Sequence, residues 1–214
     1  DLERAIALTP MSVFDNTGQD CCARSRFLVQ RGVYDEFVAG FVDRTTDLVV
    51  GDPLDESTEL GPMISEGQRQ VSLDYLGIAA QEGATQVCGG DVTGPGWYLS
   101  PSVLTGVDND MRVAQAEIFG PVAAMIPFDT EDEAIQLANA SPYGLSGTVW
   151  TGNLGRAVRV TRGIRTGVIS VNSGRSVRTE APFGGFKHSG VGRALGMAAM
   201  DDYTEIKNIF FSDG

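Results

Sequence analysis

The stretch Asn16-Thr17-Gly18-Gln19-Asp20-Cys21-Cys22-Ala23-Arg24-Ser25-Arg26 sets the reading of the whole chain. Two adjacent cysteines follow Gly-Gln and precede a small residue and two arginines. The apolar run Phe27-Leu28-Val29 beyond them reads as a strand. A thiol on a short helical turn between a glycine loop and a strand is placed to react. Amides at a helix N-terminus and nearby cations raise the thiolate fraction of such a thiol. The plain alternative is a pair of buried structural thiols, since free cysteine is mostly buried.

Upstream, Asp1 to Thr9 has apolar residues at helical spacing and is predicted to end at Pro10, with Met11 to Phe14 a short apolar lead into the turn. Downstream, helices are expected over Val33 to Val49, Glu66 to Glu82, Thr130 to Ala140 and Leu154 to Arg162. Thr130 is a plausible N-cap, with Glu133 three residues on to complete a capping box. Strands are expected over Thr85 to Cys88, Val122 to Phe128, Leu145 to Trp150 and Gly167 to Val171. Trp97 to Val107 reads as an extended segment broken by Pro101. Tyr203 to Phe211 reads as an apolar strand without a hairpin partner. Strands alternating with helices of ten or more residues predict an α/β fold with an open, mostly parallel twisted sheet flanked by helices.

The 214 residues suffice for one large domain or two small ones, and 42% hydrophobic content is normal for a globular chain. The net charge of −12 argues against a nucleic-acid partner, because no basic stripe exists to neutralise phosphates. No run has the length of a membrane span and no signal peptide opens the chain, so no membrane partner is expected. Three cysteines, with Cys88 far from the pair, make no disulfide framework; a reducing, cytoplasmic setting is expected. His188 is the single histidine. Without a partner it is a poor metal ligand, and a surface role is the simpler reading; no metal site is expected.

Four further stretches carry chemistry or turns: Glu117-Ile118-Phe119-Gly120-Pro121-Val122, Pro142-Tyr143-Gly144-Leu145, Val171-Asn172 with Ser173 to Ala181, and Pro182-Phe183-Gly184-Gly185-Phe186-Lys187-His188-Ser189-Gly190-Val191-Gly192-Arg193. Gly190-Val191-Gly192 lacks the spacing of a dinucleotide loop, and Lys187 lacks the Gly-Lys-Ser/Thr context of a phosphate loop. Together with Gly18-Gln19-x-Cys21, these stretches resemble, in order and over essentially all 214 residues, the aldehyde dehydrogenase superfamily.

That resemblance implies specific roles. Cys21 is the nucleophile and Cys22 its small neighbour. Glu117 binds the nicotinamide ribose and Phe119 packs near the nicotinamide, so the cofactor is NAD or NADP. Asn172, Ser173, Val177 and Phe183 line the path of an aldehyde substrate. The plain readings are a solvated Glu117 and a turn-forming Asn172 at a strand end. Residues 1–202 are expected to form the catalytic domain and residues 203–214 an oligomerisation tail, with a homo-oligomer as the assembly. The family's dinucleotide-binding domain, with its Glu-Leu-Gly-Gly-Lys-type base, is expected upstream of Asp1; a chain starting at Asp1 suggests a fragment. One departure is Ala194, where the family often has Glu after Gly-Arg; that weakens the expectation of one ionic link between subunits. Competing readings are a stand-alone thiol hydrolase using Cys21, with His188 as its base, and an inactive oligomerising module.

Overall fold

The computed structural model describes residues 1–175 and 177–214; Ser176, inside the expected entrance segment, lies outside the described residues. The chain opens with α1 (Leu2–Leu8), capped by the Asp1 carboxylate on the Arg4 amide, and α2 (Pro10–Phe14). The short apolar lead Met11 to Phe14 is thus helical. Pro10 at the first position costs nothing there, because that amide has no intrahelical acceptor. After the cysteine turn come β1 (Arg26–Gln30), α3 (Tyr34–Thr46), α4 (Glu66–Gln81), β2 (Thr85–Cys88) and β3 (Ser102–Thr105). The third helix stops at Thr46, short of the expected Val49. The second half supplies α5 (Arg112–Gln115), β4 (Val122–Phe128), α6 (Glu131–Asn139), β5 (Ser146–Val149), α7 (Leu154–Gly163), β6 (Val168–Val171) and α8 (Ala199–Asp202). The capping box at Thr130 and Glu133 is formed as expected. Tyr203 to Phe211, expected as a strand, forms none: a strand needs a neighbour, and among the described residues no strand pairs with this segment.

The fold is α/β with mostly parallel strands flanked by helices. Four strands run in the order β1-β4-β3-β2, parallel across β1–β4 and β4–β3, and antiparallel between β3 and β2. Period-two alternation along β4 buries both faces. Ala123 and Met125 join Phe27, Val29 and Val103 against α1 to α3, while Val122, Ala124 and Ile126 join Leu104 against α4 and α5. The first face centres on Phe14, Phe27, Phe37 and Phe41, with Phe27 edge-on to Phe41 at 4.8 Å. Each such ring contributes about 1.5–3 kcal/mol by burial.

Strands β5 and β6 pair in parallel as a separate two-stranded sheet rather than continuing the first. Every residue of β1 and of β5 lines a cleft of about 1090 Å3 between the two sheets. Since neighbouring side chains point to opposite faces, a cleft lined by all of them runs along the strand edges. Two cations brace this region at the C-terminal end of α6. Arg26 donates to the carbonyls of Leu137 and Ala138 and to Asn109, and Lys187 donates to those of Asn139 and Ser141. Cations are favoured at that end of a helix, where carbonyls lack intrahelical partners. No helix among the described residues is long and apolar enough to cross a membrane.

Candidate active site

The cysteine turn begins in strained backbone. Asn16, Thr17 and Gly18 take consecutive positive φ values of 51°, 57° and 71°. For a β-branched residue such as Thr17 this conformation is costly and persists only when surroundings enforce it. The enforcement is visible: the Thr17 hydroxyl donates to Gly61 O at 2.9 Å, and Asn16 Nδ2 donates to Gln19 O at 2.8 Å. Gln19 then reaches across to accept from the Ile64 amide at 3.0 Å. Cys21 and Cys22 follow on a plain turn, not a helical one, so the expected helix N-terminal amides are not supplied at this place.

The two thiols differ sharply. Cys21 is exposed and Cys22 is buried. Burial, then the Cys21 and Asp20 charges beside it, push the Cys22 thiol up to about 11, against a smaller opposing pull from Arg24. Cys22 therefore stays a thiol at neutral pH. Of the two arginines after the pair, only Arg24 serves the turn. Its Nη1 donates to Cys22 O at 2.7 Å and its Nε to Thr148 Oγ1 at 3.3 Å, tying the turn to β5. Arg26 is turned away to α6.

A second loop meets the first backbone to backbone. A Cβ on Gly18 would lie 2.2 Å from the Gly120 carbonyl oxygen, so only glycine permits the contact. The Gly120 loop is anchored by buried Ile118, and its carbonyls at Ile118 and Phe119 accept from Gln68 Nε2 at 2.8 and 3.0 Å. Phe119, at φ 57°, and Glu117 both stay exposed on either side of that anchor. The result is that Cys21, Glu117 and Phe119, nearly a hundred residues apart in sequence, line the same cleft between the sheets.

The remaining candidates sit elsewhere. Asn172, at φ 52°, uses its amide at both ends: Oδ1 accepts from the Thr151 amide and Nδ2 donates to Thr151 O, each at 2.9 Å. That is the strand-end role of the plain reading. Ser173 accepts through its carbonyl from Thr148 and Ser170 and closes a small loop on Arg175. Val177 is half exposed. Phe183 pairs through its backbone with Ala194, both bonds at 2.7 Å, closing the glycine-rich loop. None of these four lines the cleft that holds Cys21. His188 is exposed on that cleft.

The model of the Aldehyde dehydrogenase family matches residues 1–209. This chain belongs to the aldehyde dehydrogenase family. An aldehyde dehydrogenase of Emericella nidulans is 42% identical over 215 residues, covering all of this chain and 43% of the relative. A betaine aldehyde dehydrogenase of Rhizobium leguminosarum bv. trifolii is likewise 42% identical over 218 residues, covering 100% of this chain and 45% of the relative. The crystal structure of Mycobacterium tuberculosis aldehyde dehydrogenase complexed with NAD+ superposes with a TM-score of 0.92 at 42% identity, over 96% of this chain and 43% of that one. The chain thus spans less than half the length of the relatives it matches.

Sequence reading missed three residues that shape this aldehyde dehydrogenase cleft: Gln68, Arg24 in its tie to β5, and Thr148. A polar residue on an amphipathic helix gives no local sign that its amide will bond two carbonyls fifty residues away. The two arginines were visible, but nothing in sequence separates the one that serves the turn from the one that caps α6.

Proposed function

We propose that this chain is the nucleophile-bearing part of an NAD(P)-dependent aldehyde dehydrogenase that oxidises an aldehyde to a carboxylic acid. The observation that carries this reading is the convergence of Cys21, Glu117 and Phe119 on one cleft, held by the Gly18–Gly120 contact. In this reading the Cys21 thiolate attacks the aldehyde carbonyl and forms a thiohemiacetal. Cys22, kept as a thiol by burial, does not compete for the substrate. Arg24 fixes the turn so that Cys21 stays aimed at the cleft.

The donor set fits a nicotinamide nucleotide. Glu117 is an exposed carboxylate able to accept from both hydroxyls of a ribose, and Phe119 offers an exposed ring two residues on. When bound, the nicotinamide supplies the hydride acceptor that turns the thiohemiacetal into a thioester. Water then cleaves the thioester with the help of a base and frees the acid and Cys21. Residues 1–202 form the catalytic part and residues 203–214 the assembly tail of a homo-oligomer, with the dinucleotide site completed by a further domain. Support for the cofactor class comes from the NAD+ complex of the M. tuberculosis relative.

The test is aldehyde-dependent NAD(P)H formation by the protein that contains this chain. Cys21→Ala should lower kcat by at least about a thousandfold, whereas Cys22→Ala should retain most of it. Equal losses at both positions would sink the assignment. A thiol hydrolase is the second reading, favoured by the presence of His188 on the same cleft; ester turnover that His188→Ala abolishes, without any nucleotide, would establish it instead.

A further inference from the structure

Asp20, Cys21 and Cys22 present a carboxylate oxygen and two sulfurs within 4.8 Å of one another. We propose that this turn is a binding site for a thiophilic divalent cation of the zinc or cadmium class. Two sulfurs on a tetrahedral zinc ion stand roughly 3.8 Å apart, given zinc–sulfur bonds of about 2.3 Å, so the spacing needs only a small closure. The three ligands are consecutive on one turn, and binding orders no distant segment. The Cys22 amide donates to Asp20 Oδ1 at 2.8 Å, which fixes the carboxylate beside the sulfurs. A carboxylate has about four acceptor sites, so that bond leaves capacity for an ion.

Charge also balances. Two thiolates and a carboxylate around a divalent ion leave one net negative charge, and the Arg24 guanidinium, hydrogen-bonded to Cys22 O at 2.7 Å, lies beside it. Sulfur ligands select soft or borderline ions over magnesium and calcium. Exposure of Cys21 and Asp20 on the cleft side leaves a route in, with a fourth position for water. The ion and an aldehyde would contend for the same sulfur, so a bound ion blocks the nucleophile. The site shares Cys21 with the proposed chemistry but does not rest on it.

Cadmium alone, titrated into the full chain, is the probe, read by the ultraviolet sulfur-to-cadmium charge-transfer band and by calorimetry. We expect one ion per chain, proton release on binding, and affinity lowered about tenfold or more in each of Cys21→Ser, Cys22→Ser and Asp20→Asn. Cys88→Ser should bind as the parent does. On the unmodified chain, zinc should shield the exposed Cys21, but not Cys88, from alkylation mapped by mass spectrometry. Unchanged affinity in Cys22→Ser or Asp20→Asn, a band that follows Cys88, or no shielding would overturn the site. Loss of aldehyde oxidation chemistry in the parent protein with cadmium binding intact would overturn the enzymatic reading and leave this one standing.

Discussion

The four-stranded sheet and the stretch after β6 are built on opposite terms. The sheet has helices on both faces and a phenylalanine cluster whose Phe14 and Phe41 are fully buried. After β6 the chain leaves Val191, Met197, Tyr203, Ile206, Phe210 and Phe211 at 84% exposure or more. The first region meets its own burial requirement; the second carries an apolar surface that this chain leaves uncovered. Large apolar side chains left this exposed, several within one short segment, are the kind of feature that marks a contact surface. On this comparison we propose that the first region carries stability and the second association, and each assignment can be broken by a substitution.

The largest effect belongs to the sheet. Phe41→Ala should destabilise the chain by about 3–5 kcal/mol, since it empties a ring-sized volume among Phe14, Phe27 and Phe37. Urea unfolding with an unchanged slope would measure it. A loss below about 1 kcal/mol would mean that the aromatic cluster is not the core of the first region.

Next is the join between the two loops. Gly18→Ala forces a Cβ against the Gly120 carbonyl and into a positive φ, and should cost about 2 kcal/mol or more. The more telling readout is local. If the Gly18 contact aims the turn, the alkylation rate of Cys21 should change even where the variant is fully folded by circular dichroism. An unaltered rate would separate the turn from the Gly120 loop and weaken the case for a shared site.

What could be read beforehand follows the same divide between local and distant causes. The capping box at Thr130 and Glu133 and the bounds of β4 were legible, because both depend on residues within one turn or one alternating run. The family-like order of stretches marked Cys21, Glu117 and Phe119, and the fold brings those three together. The split of β5–β6 from the main sheet was not legible; strand partners are chosen by packing across a hundred residues. Asn172 was readable as a strand-end turn former, yet its two-ended bond to Thr151 depends on a segment twenty-one residues away. The tail reads as a strand from its apolar run, although among the described residues it pairs with no other strand.

A smaller effect concerns pH. Burial pushes Cys22 up to about 11, and burial also raises the Cys88 thiol and the Tyr34 phenol. Each folded-state value lies above the ordinary one, so the folded chain holds these protons more tightly. The resulting stability is fully present below about pH 8.5 and declines as pH rises toward 11, where the unfolded chain ionises first. Urea midpoints measured from pH 8 to 11 should fall, and Cys22→Ser should flatten part of that slope. A midpoint that rises over this range would contradict the buried assignment of Cys22.

The smallest effect on stability is expected where the exposed apolar surface is greatest, and that contrast makes it the sharpest test of the comparison. Residues after Asp202 form no strand and bury none of their large side chains; Ile206, Ile209, Phe210 and Phe211 are all exposed, between polar Glu205, Lys207 and Asn208. Apart from the bonds that the Tyr203 amide and the Thr204 hydroxyl donate to Met200 O, this segment has little burial to lose there. A chain ending before Asp202 should unfold within about 0.5 kcal/mol of the intact one, as surface changes usually do. Association should respond instead. Unpaired backbone carrying apolar side chains can add to a sheet edge of another copy, gaining hydrogen bonds and burial together. Light scattering at high concentration should then show a larger mass for the intact chain than for the shortened one. If both are monomers, the tail is not an assembly element; if the shortened chain also loses several kcal/mol, the tail folds onto its own domain and the two regions are not independent.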